Sequence, residues 1–335
     1  MNPGVQVFLY PEELEHVEPD ALAQQVLGLG CDAVSVAVVY HRSRRVFPRH
    51  RRVSVLTRTT MYIEPDPSRY GALRPEGTAT PALHRFREAC DRAGLRFRAW
   101  VVGLHNDSLA EAHPEAAARL HDGSPAGHSL CPSAPEVVEY VAALASDVAA
   151  QLGPEAVDLE AAFYPAWEPS YTLTLALEPL TDGEKLLWAQ CSCPACLAMP
   201  DRAEGARRLI AAAAGAVHAQ GSLLRVFASG PPEQAALQGV SPEAVDAADA
   251  LLYGCGPLRG DKLLAQFDGL RGLAGRPGTV STNWTPERTD FTADVERLAA
   301  AGAEGLALYN LSLVPEAGVE AFRAAAAAFK SAVPV

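Results

Sequence analysis

Eight apolar, strand-like runs alternate with alanine- and leucine-rich helical stretches from one end of the chain to the other, and this alternation predicts a (β/α)8 TIM barrel. The runs read as nearly continuous hydrophobics, as parallel strands covered on both faces do. The residues able to do chemistry also gather where those runs end, which is the face on which such a barrel keeps its site.

The strand-like runs are Val5 to Tyr10, Ala33 to Tyr40, Arg96 to Leu104, Ala156 to Phe163, Leu223 to Ala228, Ala250 to Gly254, Thr279 to Trp284 and Gly305 to Leu311. Helical stretches lie between them at Ala79 to Ala93, Pro135 to Gln151, Ala203 to Gln220, Asp261 to Leu273, Phe291 to Ala301 and Ala317 to Lys330. Gly94, Gly153, Gly221 and Gly302 stand where helices should end, and Pro135 suits a first helical turn. Two connections, 41–78 after the second strand and 164–202 after the fourth, are long enough to carry elements of their own over the active face. Within the first, Val53 to Leu56 and Met61 to Ile63 are expected to pair as a small hairpin. The whole chain, 1–335, is read as one barrel domain with these two insertions.

Composition narrows the function. The chain has 335 residues, 49% hydrophobic and 20% charged, so it can bury a large core. A formal charge of −12 argues against a nucleic-acid partner, because polyphosphate binders cluster Lys and Arg. One run departs from that balance: Arg42, Arg44, Arg45, Arg49, Arg51 and Arg52 either face an anionic ligand or form a solvated loop paired with acidic neighbours. No segment holds about 18 apolar residues in a row, and the start of the chain lacks a charged leader followed by an apolar stretch. Together with seven cysteines, an odd number, this leads to the expectation of a cytoplasmic protein without a membrane partner.

The fourth strand carries Asp158 and Glu160, which two-residue spacing places on one inward face. If the pair is close and partly dry, one of the two acquires the raised pKa that a general acid needs. The competing reading is a buried carboxylate satisfied by arginine or backbone N–H groups. His105, Asn106 and Asp107 close the third strand: Asp107 is a candidate proton-transfer partner, Asn106 a hydroxyl binder, and His105 either a contact or a structural hydrogen-bonder. Asn283 and Asn310 are further candidates for binding hydroxyls. Tyr10, Tyr40, Tyr164, Tyr253, Trp284 and Tyr309 fall at or near strand ends, where they form either the walls of a sugar cleft or caps on the core. If the two acting carboxyl groups lie about 6.5–9.5 Å apart, inversion through an activated water follows, whereas about 5 Å indicates a nucleophile.

Cys191, Cys193 and Cys196 form a C-x-C-x-x-C cluster, which with Cys131 supplies either four thiolates for a structural zinc or a set of free thiols. No G-x-G-x-x-G follows the first strand, and the P-loop, H-E-x-x-H and G-x-S-x-G motifs are absent, so the chemistry expected needs no cofactor.

Tyr40-His41, Tyr62-Ile-Glu-Pro-Asp66, Arg69-Tyr70, Leu104-His105-Asn106, His113-Pro114, Leu130-Cys131-Pro-Ser, Pro135-Glu136-Val137, Leu159-Glu160 and the cysteine cluster together give a string that resembles an uncharacterised bacterial family of glycoside-hydrolase-like TIM-barrel proteins, over about residues 5–200. The resemblance implies a sugar over the barrel mouth with the strand-four glutamate at its centre. The chain departs from that pattern where relatives carry a histidine-rich stretch, since Trp167-Glu168-Pro-Ser-Tyr171 stands there and only Glu184-Lys185 matches the Glu-Lys pair that follows. The strand-seven segment Thr279 to Trp284 offers no second carboxylate before Glu287, and Ala162 replaces the last acid of a D-x-D-x-E signature. A retaining double displacement is therefore not expected. The function expected is a carbohydrate-active hydrolase on a small sugar or glycosylated metabolite, with Glu160 as general acid or base. The rivals are a biosynthetic enzyme that transfers or rearranges a glycosyl group and a catalytically silent sugar-binding barrel.

Overall fold

The structure, a computed structural model, describes residues 4–165, 181, 183–184 and 191–333. Its centre is a closed parallel sheet of β1 (Gly4–Leu9), β2 (Ala33–Tyr40), β3 (Arg96–Val102), β4 (Ala156–Glu160), β5 (Leu223–Ser229), β6 (Ala250–Gly256), β7 (Thr279–Asn283) and β8 (Gly305–Tyr309). Each strand pairs in parallel with the next, and β8 returns to β1 with Gly4 opposite Gly305 and Val7 opposite Leu308. Closure removes every sheet edge and explains the continuous hydrophobics: all eight residues of β2 are buried, one set inside the barrel and the other under the helices.

The helices that follow the eight strands in turn are α1 (Pro19–Gly28), α2 (Pro81–Ala93), α3 (Pro135–Leu152), α4 (Arg202–His218), α5 (Pro232–Leu237), α6 (Gly260–Ala274), α7 (Phe291–Ala300) and α8 (Glu316–Ala332), with short helices also at Asp107–Ala112, Pro194–Ala198 and Pro242–Val245. α2 and α3 begin at proline and end at Gly94 and Gly153, whose positive φ of 70° and 52° lets the chain leave each helix toward the next strand.

The barrel interior is layered. Gln6, Ser35, Asp158 and Arg225 meet through hydrogen bonds and an ion pair near the N-terminal ends of the strands. Above them Phe8 is ringed by Trp100, Phe227 and Tyr309 at centroid distances of 5.1, 5.6 and 5.7 Å. β4 stops at Glu160, three residues earlier than the sequence suggests, because Ala161 takes a φ of 55°, in the left-handed region that ends a strand.

The loops depart from expectation in two places. The hairpin after β2 joins Ser43–Phe47 to Arg52–Leu56, with Val46 opposite Val53, rather than Val53–Leu56 to Met61–Ile63. Thr60–Met61 instead adds antiparallel to Val39 and Tyr40 of β2. The arginine run therefore spans a hairpin, not an irregular loop, and is paired with acidic neighbours, Arg42 with Asp107, Arg45 with Glu12 and Arg49 with Glu13; in its first strand Arg45 and Phe47 face inward and Arg44 and Val46 outward, an alternation that charge conceals in the sequence. The connection between β3 and α3 is also long, holding the helix Asp107–Ala112 and a hairpin of Ala117–Arg119 with Pro125–Leu130. Of the insertion at 164–202, Trp167, Glu168, Tyr171 and Lys185 lie outside the described residues. Among the described residues no helix is long and apolar enough to cross a membrane.

Candidate active site

The C-terminal ends of six consecutive strands, β3 to β8, enclose a cavity of about 500 Å³. Trp100, Glu160, Phe227, Ser281, Asn283 and Tyr309 reach it from those strands, and the loops after β5 and β6 close its side with Pro231, Pro257 and Leu258. Placement follows from strand period: Glu160, Ser229, Asn283 and Tyr309 are the last residues of β4, β5, β7 and β8, so their side chains stand at the rim.

Glu160 is half-buried, and its Oε2 accepts a hydrogen bond of 2.6 Å from the indole Nε1 of Trp100 on the neighbouring strand. Asp158, two residues earlier on the same face, does not join it in the cavity. Two residues of strand amount to about 6.6 Å, so Asp158 sits a layer deeper, beneath the aromatic ring around Phe8. There it is fully buried and accepts from Ser35 Oγ at 2.6 Å and Gln6 Nε2 at 3.4 Å, with Arg225 Nη1 at 3.3 Å. Burial pulls the Arg225 guanidinium down to about 10 even with the Asp158 carboxylate opposing it. Asp158 is thus a buried carboxylate that faces arginine: its Oδ1 makes the ion pair with Arg225 but no hydrogen bond, and it does not line the cavity. Among the described lining residues Glu160 is the single carboxylate.

Behind Tyr309 lies a cluster of phenols. Tyr10 Oη is 2.8 Å from Tyr309 Oη and donates to Tyr40 Oη at 2.9 Å, while Arg45 stacks on the Tyr10 ring at 4.3 Å and pairs with Glu12. Burial first, and then each other's proximity, raises the Tyr10 pKa well above a free phenol's; Tyr40 and Tyr309 are raised too, with burial again the leading cause. All three stay protonated and act as hydrogen-bonding groups. Tyr309 lines the cavity; Tyr10 and Tyr40 brace it from behind.

His105 and Asp107 occupy a second, separate pocket with His41, Arg42 and His128, with room for about one water molecule (about 10 Å³). Asp107 accepts from Thr59 N–H and hydroxyl at 3.2 and 2.9 Å, and Arg42 lies 3.6 Å away. This ties Asp107 to the β2 insertion and away from Glu160. Burial, with His41 and His128 nearby, lowers His105 to about 3, so its ring is neutral near neutral pH.

Several expected sugar contacts belong to the fold instead. Asn106 caps the helix Asp107–Ala112 through Oδ1 to Leu109 N–H and donates to Tyr140 Oη at 3.2 Å. Asn310, buried, caps the turn Leu311–Leu313 through Ser312 N–H. Tyr164 bonds Ser133, Tyr253 donates to Arg276 O at 2.6 Å, and Trp284 packs over Gly318 at the start of α8. None of the five lines the cavity. Conversely, Trp100, Phe227, Ser229 and Gln266 line it although no motif in the sequence marks them. An aromatic in mid-strand reads as core, and only the inward register shared with Arg98 hints at more.

Cys131, Cys191, Cys193 and Cys196 converge, with all four sulfurs within 4.8 Å of one another. Cys131 Sγ lies 3.3 Å from Cys193 Sγ, 3.3 Å from Cys196 Sγ and 3.8 Å from Cys191 Sγ. Four sulfurs placed tetrahedrally at 2.3 Å from one ion stand about 3.8 Å apart, so the set fits a metal with a small outward adjustment. The cluster fastens residues 191–196 to the hairpin after β3, where Ser192 N–H also donates to Arg119 O at 2.9 Å.

The fold and the cavity define a (β/α)8 barrel open at the C-terminal ends of its strands, and solved structures with that fold match it over nearly its whole length. The glycoside hydrolase domain of PgaB (BpsB) from Bordetella bronchiseptica superposes with a TM-score of 0.58 at 15% identity, covering 96% of this chain and 98% of that one. The catalytic domain of β-amylase from Paenibacillus polymyxa gives 0.60 at 12% identity, covering 96% and 98%. A β-galactosidase from Marinomonas ef1 gives 0.58 at 14%, covering 98% of this chain and 59% of that one. The chain has the (β/α)8 fold of these glycosidases. No protein-family model matches its sequence, and no curated protein matches it either.

Proposed function

We propose that this protein is a glycoside-hydrolase-like enzyme that binds a sugar in the mouth cavity and uses Glu160 as its general acid or base. The observation that carries the reading is the position of Glu160: it ends β4, faces the cavity, and is oriented by the Trp100 indole. The partly exposed rings of Phe227 and Tyr309 offer faces on which a pyranose stacks, with the buried Trp100 beneath them, and Asn283 offers hydrogen bonds to hydroxyls. A lining with one carboxylate, aromatic faces and no cationic side chain among the described residues also suits the positive charge that develops on a sugar ring during glycosidic cleavage.

The four cysteines are proposed to hold a structural zinc. Their set is all-thiolate and leaves no position for a substrate, so the ion would clasp loops and supply no catalytic step.

The test is the Glu160→Gln variant assayed on a panel of oligosaccharides and aryl glycosides. Wild-type turnover should fall by about 10²–10⁴ in kcat, the usual contribution of a positioned acid or base, with an unchanged circular dichroism spectrum. A folded Gln variant that turns over at the wild-type rate contradicts the role.

A further inference from the structure

We infer that the strand Arg52–Leu56 is a docking edge for another protein: it accepts an extended segment, apolar in its middle and acidic at its ends, as an added strand. The surface lies outside the mouth cavity. Residues 41–63 contain seven arginines and no Asp or Glu, in a chain whose formal charge is −12. Four of the seven serve the fold, Arg42 against Asp107, Arg45 against Glu12, Arg49 against Glu13 and Arg58 against Glu76. Arg44, Arg51 and Arg52 are exposed, and their side chains have no partner among the described residues.

The edge itself is unclaimed. Arg52–Leu56 pairs on one side with Ser43–Phe47; on its other side it makes no backbone hydrogen bond among the described residues, and none of its five residues is buried. A strand so placed presents a row of N–H and C=O groups to any chain that can lie along it. Its neighbour holds it in position, because Phe47 is buried and Arg45 stacks on the Tyr10 ring at 4.3 Å, so the edge is formed before anything docks. The outward face adds apolar surface: Val46, Val53 and Val55 are 57, 59 and 62% exposed, with Val46 opposite Val53. Beneath the edge, a cleft of about 260 Å³ between Arg52–Ser54 and Glu12, Glu15 and His16 leaves room for side chains of the added strand.

Charge chooses the occupant. A second copy of this hairpin would set unpaired arginines against unpaired arginines, which repel. Acidic residues at the two ends of an added strand instead meet Arg51 and Arg52 at one end and, across the hairpin from Val55, Arg44 at the other. Glu15 lies in the cleft under the edge, so neutral side chains suit the middle of the segment. Main-chain hydrogen bonds then supply affinity, and the valines and end charges supply specificity.

The experiment is fluorescence anisotropy of the full chain with three labelled peptides. The first is Glu-Glu-Val-Thr-Val-Thr-Val-Glu-Glu, the second has Lys in place of Glu, and the third keeps the acids but replaces the central Thr-Val-Thr by three Pro, which cannot donate to a ladder. The acidic peptide should bind saturably and less tightly as salt rises to about 0.5 M. The lysine peptide should not bind, and the proline peptide should bind about tenfold more weakly or worse. In Val53→Asp/Val55→Asp the affinity for the acidic peptide should fall about tenfold. In Arg51→Glu/Arg52→Glu the preference should turn toward the lysine peptide, with an unchanged circular dichroism spectrum. Both variants alter exposed side chains, and the second keeps the test open if the first fails to fold. Equal binding of the proline peptide shows bare charge attraction and overturns strand addition. Equal binding of the lysine peptide, no binding of the acidic one below about 1 mM, or binding to phosphatidylglycerol vesicles without binding to the peptide overturns the acidic partner. A dimer in sedimentation that Val53→Asp/Val55→Asp dissociates gives the edge to a second copy and overturns it as well.

Discussion

Asp158 and Glu160 show how much one strand period decides. They share a face, yet the first is enclosed by Ser35, Gln6 and Arg225 and the second opens on the cavity. Removing the Asp158 charge leaves Arg225 buried and uncompensated, so Asp158→Ala should cost about 3–5 kcal/mol in a urea unfolding titration; a loss below 1 kcal/mol would show that the pair is not the anchor described. His105 supplies a pH effect with a defined sign. Folded, it stays neutral down to about 3, whereas unfolded it titrates near 6.5. Between those values the unfolded chain binds a proton that the native chain does not, so stability falls as pH falls. His105→Gln should remove about 2 kcal/mol of the loss between pH 6.5 and 4.5, read from urea midpoints at both pH values; identical slopes in the two proteins would contradict this. At this scale the sequence misleads about the asparagines. Asn106 and Asn310 stand at strand ends as sugar-binding residues do, but each is followed within three residues by the backbone N–H it caps, and that capping signal was legible.

The cysteine cluster acts on whole elements. It joins residues 191–196 to the hairpin Ala117–Arg119 with Pro125–Leu130, two segments about 60 residues apart in sequence that share one short backbone pairing. An ion bound there stabilises the native chain alone, so purified protein should contain about one zinc per chain and chelation should lower Tm by several degrees. Cys131→Ser should lose the zinc and remove the effect of chelator; elemental analysis without zinc, together with a chelator-insensitive Tm, would leave the four residues as buried thiols. Spacing made this cluster legible, because three cysteines in six residues mark themselves and Cys131 was the candidate fourth ligand. The two hairpins were less legible for a physical reason. In Ser43–Phe47 the strand alternation is written in arginines, of which Arg45 is buried against Glu12, and the Pro125–Leu130 strand has the glycine and proline content of a turn.

At the scale of the molecule the barrel was legible throughout, because every strand must be apolar on both faces and every helix must return the chain to the same end. Closure of β8 on β1 then gathers Trp100, Glu160, Phe227, Asn283 and Tyr309, which span more than two hundred residues of sequence, into one mouth. No local pattern foretells such a meeting. Glu160, Asn283 and Tyr309 are marked by standing at strand ends, whereas Trp100 and Phe227 lie inside apolar strand runs and carry no mark of their own. The central claim is that this mouth holds a sugar with its scissile bond at Glu160. A crystal structure of Glu160→Gln with an oligosaccharide bound tests it most directly. The account predicts a sugar ring against Phe227 and Tyr309 with its glycosidic oxygen within hydrogen-bond reach, about 2.6–3.2 Å, of the residue-160 side chain. A sugar bound elsewhere on the barrel, or one whose glycosidic oxygen lies out of reach of residue 160, would contradict it.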